Sequence, residues 1–412
     1  MAIRGSMHEV GGVLLERVLN ADTGGHTGPR MDCGNGHEAA FVDYRNKGLV
    51  TVLSPIELRR AYYHCATCGE GVIPKDVELD VVGTSFSPGV RRLMGLVGGK
   101  EAFDEGRSDL EELAGIVVKT KQVERVSEAI GRQIELVSVA EQEAVLSGKV
   151  VGIESAPKFY IAMDGTGVPV VPRETEGRAG KDETGRAKTR EAKLGCVFTQ
   201  TSTDDKGRPI RDPASTSYVG AIETASEFGR RIYAEALRCG LTRAQQVIVL
   251  GDGAPWIWNI ADHHFYGAIQ IVDLYHAREH VSSVSKVIYG SSDKASRWTH
   301  DVIELLDTGD VEAVLTAMAR VRPHDEGIKA EIKKAAHYFQ TNKERMRYER
   351  FRGLGLFVGS GVVEAGCKTV IGRRLKQSGM RWTIRGANSI IALRCCQLSG
   401  RWEDFWAARS VA

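Results

Sequence analysis

Residues 247–261 read VIVLGDGAPWIWNIA. Val247, Ile248, Val249 and Leu250 form an unbroken row of β-branched and leucine side chains, the pattern of a strand buried on both faces. A lone carboxylate, Asp252, then stands between Gly251 and Gly253, and Pro255 suits the first turn of a helix. This stretch alone leaves two readings of Asp252 open. Gly-Asp-Gly closes a tight turn, because glycine accepts positive φ and aspartate bonds its own backbone. Alternatively, the glycines remove bulk beside a carboxylate that the strand end presents to partners elsewhere in the chain.

The same arrangement recurs in YIAMDGTGV, residues 160–168, where Asp164 follows an apolar strand and precedes Gly165. If the two strands are neighbours in one sheet, their carboxylates lie close together. Like charges at that range repel unless a cation sits between them. Hard Mg²⁺, bound through a few carboxylates, waters and phosphate oxygens, is the usual solution. A third acid completes such a site, and Glu364 in VGSGVVEAGCKTVIGRRLKQSGMRW, residues 358–382, is the candidate. Ser360 is expected to cap a helix there and to put Glu364 in its early turns. Lys368 then follows at i+4 on the same face, Ile371 and Leu375 extend the stripe, and Arg373, Arg374 and Lys376 lie beside it.

From Ala365 to Trp402 the chain contains no Asp or Glu, while Lys368, Arg373, Arg374, Lys376, Arg381, Arg385, Arg394 and Arg401 are all basic. The formal net charge over 412 residues is only +2. Such segregation in a nearly balanced chain points to a polyanion backbone as partner.

The flanking sequence divides by texture. Residues 1–30 read as a flexible segment, and NADTGGHTGPRMD, residues 20–32, as a loop. A compact Cys/His region covers 31–80, and helical periodicity broken by glycines covers 81–150. Beyond Pro157, short strands give way to alternating helix and strand, which indicates an α/β layer fold with mixed pairing. A charged helical stretch over about 280–355 interrupts it.

MDCGNGHEAAFVDYRNKGLVTVLSPIELRRAYYHCATCGEGVIP, residues 31–74, offers Cys33, His37, Cys65 and Cys68. Cys65-x-x-Cys68 followed by Gly69 has the knuckle form in which backbone amides face the sulfurs, so the four read as a Cys₃His structural zinc ribbon. Cys33 and His37 depart from CxxC spacing, and His64 is the substitute ligand. Arg59, Arg60 and nearby tyrosines suit DNA contact. VKTKQVERVSEAIG, residues 118–131, is an amphipathic helix that equally fits a reader of bases.

The apolar share of 42% and charged share of 26% are those of a folded protein. No apolar run is long enough for a membrane span and the first residues lack a signal-peptide shape, so a cytoplasmic, membrane-free chain is expected. GLGLFVGSG, residues 353–361, lacks both GxGxxG and P-loop spacing, and no nucleotide cofactor is expected. HAREH, residues 276–280, is not HExxH, although His276 and His280 at i+4 have a zinc-compatible spacing. Cys395, Cys396, Trp256, Trp258 and Trp382 are expected to pack in the core.

Together MDGTGV, VLGDGAPWIWN, IVDLYHAREH and GSGVVEAGCK…RRLKQSGMRW resemble the DDE transposases of bacterial insertion sequences, the ISKra-type family in particular, and more distantly Mutator-like transposases. The likeness covers about residues 31–400. It implies an RNase H-like catalytic core with a mixed β-sheet over 151–412, carrying the helical insertion and preceded by the ribbon and a small helical, DNA-binding domain. It also implies Asp164, Asp252 and Glu364 as the catalytic triad for two Mg²⁺ or Mn²⁺ ions, with Asp164 bridging them. Asp273 and His276 match the auxiliary DxxH element. Transposon-end DNA and target DNA are the implied partners, contacted by Lys368, Arg373, Arg374, Lys376, Arg381 and Arg385, with a homo-oligomer acting at the bacterial nucleoid. The rival readings are an RNase H-like nuclease without strand transfer and a non-catalytic zinc-dependent DNA-binding protein.

Overall fold

The computed structural model describes residues 2–149, 156–180 and 184–409. The chain separates into two compact units, Met1–Ile130 and Gly131–Ala412, with the division falling inside one long helix.

The first unit is built on an antiparallel sheet of β1 (Arg30–Asp32), β2 (Glu38–Val50), β3 (Pro55–His64) and β4 (Gly71–Val72), in that order. The β2–β3 hairpin is long, pairing Ala40 with His64 at one end and Val50 with Pro55 at the other. Ala39, Ala61, Tyr63 and Cys65 form a small core at one end, and Leu49, Ile56, Leu58 and Val81 another.

The expectation of a flexible segment over 1–30 gives way to a helix, α1 (Ala2–Leu19). Its Leu15 and Leu19 pack on the second core. Glu16 accepts from the Glu57 amide at 2.9 Å, and Asn20 accepts from the Arg59 amide at 2.9 Å while donating to the Glu57 carbonyl at 2.7 Å. These side chains satisfy β3 backbone groups that no strand covers, which is why the helix docks there.

Arg60, expected at a DNA surface, is buried and donates to Asp76 at 2.8 Å, beside Lys47 at 2.9 Å from the same carboxylate. The short α2 (Pro74–Glu78) carries Asp76. Beyond it come α3 (Pro88–Lys100), α4 (Phe103–Ala114) and α5 (Thr120–Leu146). Phe86, Val90, Met94, Leu110, Ile116 and Val123 make the core of the helical part.

The second unit contains a five-stranded mixed sheet. Its strands are β5 (Lys158–Pro169), β6 (Thr189–Gln200), β9 (Ser217–Ala221), β10 (Gln246–Gly251) and β11 (Ile269–Val272), with β7 (Ser202–Thr203) and β8 (Pro209–Ile210) forming a separate ribbon. The order is β11-β10-β5-β6-β9. β10 runs parallel to both β5 and β11, whereas β6 is antiparallel to β5 and to β9. Residues 170–188 lead from β5 to the antiparallel β6, and residues 201–216, which carry β7 and β8, lead from β6 to β9, while α6 (Ala225–Arg238) precedes β10 and α7 (Pro255–His264) supplies the crossover to β11.

β5 is central, and Phe159 to Met163 are all buried, as a strand covered on both faces requires. Gly195 of β6 faces Phe228 and Ile232 of α6. Leu194 beside it faces the opposite way, toward Gly366. On that second face lie α13 (Gly361–Gly366), a π-helical turn over Cys367–Gly372, α14 (Arg373–Leu375) and α15 (Ile384–Leu398), with α16 (Trp402–Arg409) following.

Between β11 and α13 the chain forms α8 (Leu274–Tyr289), α9 (Asp293–Thr308), α10 (Val311–Arg320), α11 (Glu326–Asn342) and α12 (Tyr348–Gly353). Val302, Leu306, Val311, Val314, Met318, Phe339 and Tyr348 are buried among them. Cys395, Cys396, Trp258 and Trp382 are buried too, while Trp256 is half-buried with its ring edge-on to Phe228. Among the described residues no helix is long and apolar enough to cross a membrane.

Candidate functional site

The sheet order brings the two strand-end carboxylates together. Parallel pairing runs from Gln246 opposite Lys158 to Leu250 opposite Ala162. Asp164 and Asp252 each lie two residues beyond that last pair, in the same direction. Side chains alternate faces along a strand, so each aspartate shares the face of its paired neighbour.

Asp164 is half-buried, and burial together with the charge of Asp252 lifts its carboxyl above the ordinary range despite hydrogen bonds from the Cys367 thiol and the Gly165 amide. The Gly165 amide donates to Asp164 at 2.7 Å and the Ala254 amide to Asp252 at 2.8 Å. Asp252 therefore does close its own turn and also faces a second carboxylate. Gly253 has φ +100°, and a Cβ there would lie 2.5 Å from the Tyr338 ring, so only glycine fits. Tyr338 itself donates to the Asp252 carbonyl at 2.9 Å.

Asp273 ties three elements to this point. Its amide donates to the Gly251 carbonyl at 2.8 Å. One carboxylate oxygen caps α8 by accepting from the His276 amide at 2.9 Å, and the other accepts from the Ser360 amide at the start of α13. The Leu274 amide adds a bond to the Val358 carbonyl at 2.9 Å.

Burial pushes the Asp273 carboxyl up, but the bonds from His276 and Ser360 outweigh it and hold the group at about 2. His276 Nδ1 lies 3.6 Å from Asp273. That hydrogen-bonded contact lifts the imidazole against its burial, and the charges of Asp252 and Asp164 add to it, giving about 9. A cationic His276 thus stands beside the two carboxylates. His280 instead stacks on Tyr338, ring centroids 4.0 Å apart.

Ser360 enters α13 without a side-chain cap bond, contrary to expectation, and contributes its backbone amide to Asp273 instead. Glu364 on α13 pairs with Lys368 at 2.6 Å. One turn on from Glu364, Cys367 is buried against Asp164. The expected stripe from Lys368 through Ile371 to Leu375 does not form. Lys368 is exposed while Ile371 and Leu375 are buried, because the π turn, in which the Arg373 amide reaches the Lys368 carbonyl, alters the helical period.

Among the described residues, three or more His, Cys, Asp or Glu ligand atoms lie within 4.8 Å of one another only at Cys33, His37, Cys65 and Cys68. Asp164, Asp252 and Glu364 do not converge that tightly.

Of the expected DNA contacts, Lys368, Arg373, Lys376, Arg381 and Arg385 are exposed, and Lys376 bonds Thr166 of β5. Arg374 is a correction. It is fully buried, with its guanidinium 5.0 Å from the Trp382 ring, and cannot reach a polyanion. Arg394 is likewise internal, donating to the carbonyls of Val370 at 2.9 Å and of Thr369.

In the first unit, Cys33 and Cys68 bring their sulfurs to 3.8 Å. A tetrahedron with metal–sulfur bonds of about 2.3 Å has an edge of roughly 3.8 Å, so the spacing fits zinc. The Cys68 amide faces the Cys65 sulfur and, against burial, holds that thiol down to about 7. Gly69 at φ +73° permits the knuckle, and the Gly69 amide returns to the Cys65 carbonyl at 2.9 Å. His37 is the fourth member of the cluster, and the alternative His64 is not part of it.

Two contacts at the carboxylates escaped sequence reasoning. Cys367 was discoverable, since it lies one helical turn from Glu364. Tyr338, 86 residues from Asp252, carried no signal.

The family described as Uncharacterised protein family (UPF0236) matches residues 226–406, which include Asp252, Asp273, His276 and Glu364 but not Asp164. No curated protein matches. A chain of the Drosophila P element transposase strand transfer complex is similar over 82% of this chain and 84% of that one, at 10% identity and a TM-score of 0.25. At that score the two chains do not superpose closely enough to equate residues.

Proposed function

We propose that this chain is a DDE transposase with an RNase H-like core, which cleaves phosphodiester bonds at element ends and joins the freed 3′-OH to target DNA. The observation that carries the reading is the pairing of β5 with β10. It supports a reading in which Asp164 and Asp252 are neighbours on one face of the sheet, the face against which α13, the helix of Glu364, packs.

Two neighbouring carboxylates, one of them driven above its ordinary pKa by burial and by the other's charge, suit a divalent cation. In this reading Asp164, Asp252 and Glu364 would hold the divalent ions. Mg²⁺ or Mn²⁺ bound there would supply an activated water and stabilise the leaving oxygen. Residues that together would hold two ions need not gather as closely as the four ligands of one zinc.

The chain's own groups have separate tasks. Asp273 holds the start of α13 to the end of β10 through Ser360 and Gly251. His276, carrying a proton at neutral pH, offsets the negative charge of the aspartates. Exposed Arg373, Lys376, Arg381 and Arg385 lie in the acid-free stretch and suit a phosphate backbone. The Cys₃His ribbon and α3–α5 serve end recognition, with a homo-oligomer assembling on DNA.

Purified protein incubated with element-end DNA and Mg²⁺ or Mn²⁺ should nick it and yield joined products with a target duplex. Asp164→Ala, Asp252→Ala and Glu364→Ala should each abolish both reactions and retain end binding. Wild-type cleavage by any of the three defeats the assignment, and cleavage without joined products leaves a nuclease.

A further inference from the structure

The strap between β5 and β6 forms a second feature of the unit. After Pro169 the chain passes through a 3₁₀ turn over Pro172–Thr175 and returns at Thr189. It is fastened to the segment after α14 by backbone bonds, from the Val171 amide to the Trp382 carbonyl at 2.9 Å and from the Trp382 amide to the Pro169 carbonyl at 3.1 Å. The Ile384 amide adds a bond to Glu174 at 3.3 Å.

Between strap and segment lies a cleft of about 1210 Å³. Its charged lining among the described residues is Arg173, Arg178, Arg186, Lys188 and Arg381, against the single acid Glu176. All six are exposed. A five-to-one excess of cations in a chain of net charge +2 is a local field that favours a polyanion.

The cleft begins on the strand that carries Asp164. Pro169 lies five residues further along β5, roughly 17 Å at about 3.4 Å per residue. That distance is about five nucleotide steps at the 3.4 Å rise of one DNA strand. Lys376, bonded to Thr166, stands between the two places.

We propose that this cleft is a track for the DNA backbone, gripping phosphates about five nucleotides from the bond that the carboxylates act on. The inference rests on the DNA partner of the proposed function and adds the strap residues Arg173, Arg178, Arg186 and Lys188 as its contacts. The strap supplies charge without base-reading geometry, so the contact is independent of sequence.

The test measures binding of the full chain to a 30-base-pair duplex of arbitrary sequence by fluorescence anisotropy across a salt series, without added divalent ions. Each phosphate contact contributes about 0.9 to the slope of log K against log salt. The variant R173A/R178A/R186A/K188A is expected to lower that slope by about 3.6 and to weaken binding at least 100-fold at about 0.15 M salt, with an unchanged melting temperature. Glu176→Lys is expected to tighten binding and raise the slope. Unchanged slope and affinity in both variants overturn the track. The outcomes separate from those of catalysis: cleavage by wild type with an unaltered slope in the variants removes the track and leaves the transposase reading. A reduced slope in a protein that cleaves nothing does the reverse.

Discussion

Asp273 accepts the backbone amide of Ser360, 87 residues away in the chain, and with its other oxygen caps the helix that carries His276. One buried carboxylate thereby sets the relative position of the β10 end, α8 and α13. Replacing it with alanine leaves two amides unbonded in a buried setting. The expected cost is roughly 2–4 kcal/mol in equilibrium unfolding, from a lost cap and an unsatisfied buried donor. A loss below about 0.5 kcal/mol would show that the bond positions nothing.

The same pair sets a pH dependence. Asp273 is held at about 2, below its ordinary 3.8, so its contribution is present above 3.8 and lost as pH falls through about 2. His276 is raised to about 9 from 6.5, so its contribution is complete below 6.5 and lost as pH rises through about 9. Stability from the pair is greatest between about pH 4 and 6.5. Unfolding titrations should show a decline from pH 6.5 to 9 that flattens in Asp273→Asn. An equal decline in both proteins assigns the dependence to other groups.

Cys367 donates its thiol to Asp164 and so draws that carboxyl downward. Cys367→Ala removes the donor, and the acid limb of the cleavage pH profile should move to higher pH. Cys367→Ser keeps a donor and should restore the wild-type limb. Identical limbs in all three proteins would mean that the contact only fills space.

Chelation should remove one zinc per chain and lower the melting temperature of the full-length protein. Cys65→Ser and His37→Ala should reduce zinc content measured by mass spectrometry, while His64→Ala should not. Retention of stoichiometric zinc in His37→Ala would transfer the fourth position to another donor.

Arg374→Ala is expected to destabilise the fold by roughly 2–4 kcal/mol, the range for emptying a large buried site, and to leave the salt dependence of DNA binding unchanged. Arg373→Ala, at an exposed neighbour, should do the opposite. A shallower salt slope in Arg374→Ala would place that guanidinium on DNA.

The boundary between what was legible and what was not follows the range of each interaction. Asp164 and Asp252 announce themselves as strand ends because apolar rows and glycines are local signals. That their strands are adjacent depends on strand order, which short-range patterns leave open. Cys33, His37, Cys65 and Cys68 were readable because metal ligation demands particular residue types. Arg374 and Arg60 were misread as surface cations, since composition cannot tell a solvated guanidinium from one placed against Trp382 or Asp76. Ser360 was expected to act through its hydroxyl, but the partner that decides its role, Asp273, lies on another element. Helix α1 lacks a strong stripe and forms against β3 groups that only the folded hairpin presents.

The Tyr338 hydroxyl on the Asp252 carbonyl makes the α8–α12 region more than an appendage. Any engineered excision or graft of that lobe would remove the ring packed against Gly253 and open a gap beneath the turn, loosening one of the two carboxylates. The lobe and the Asp252 turn therefore have to be transplanted as one piece.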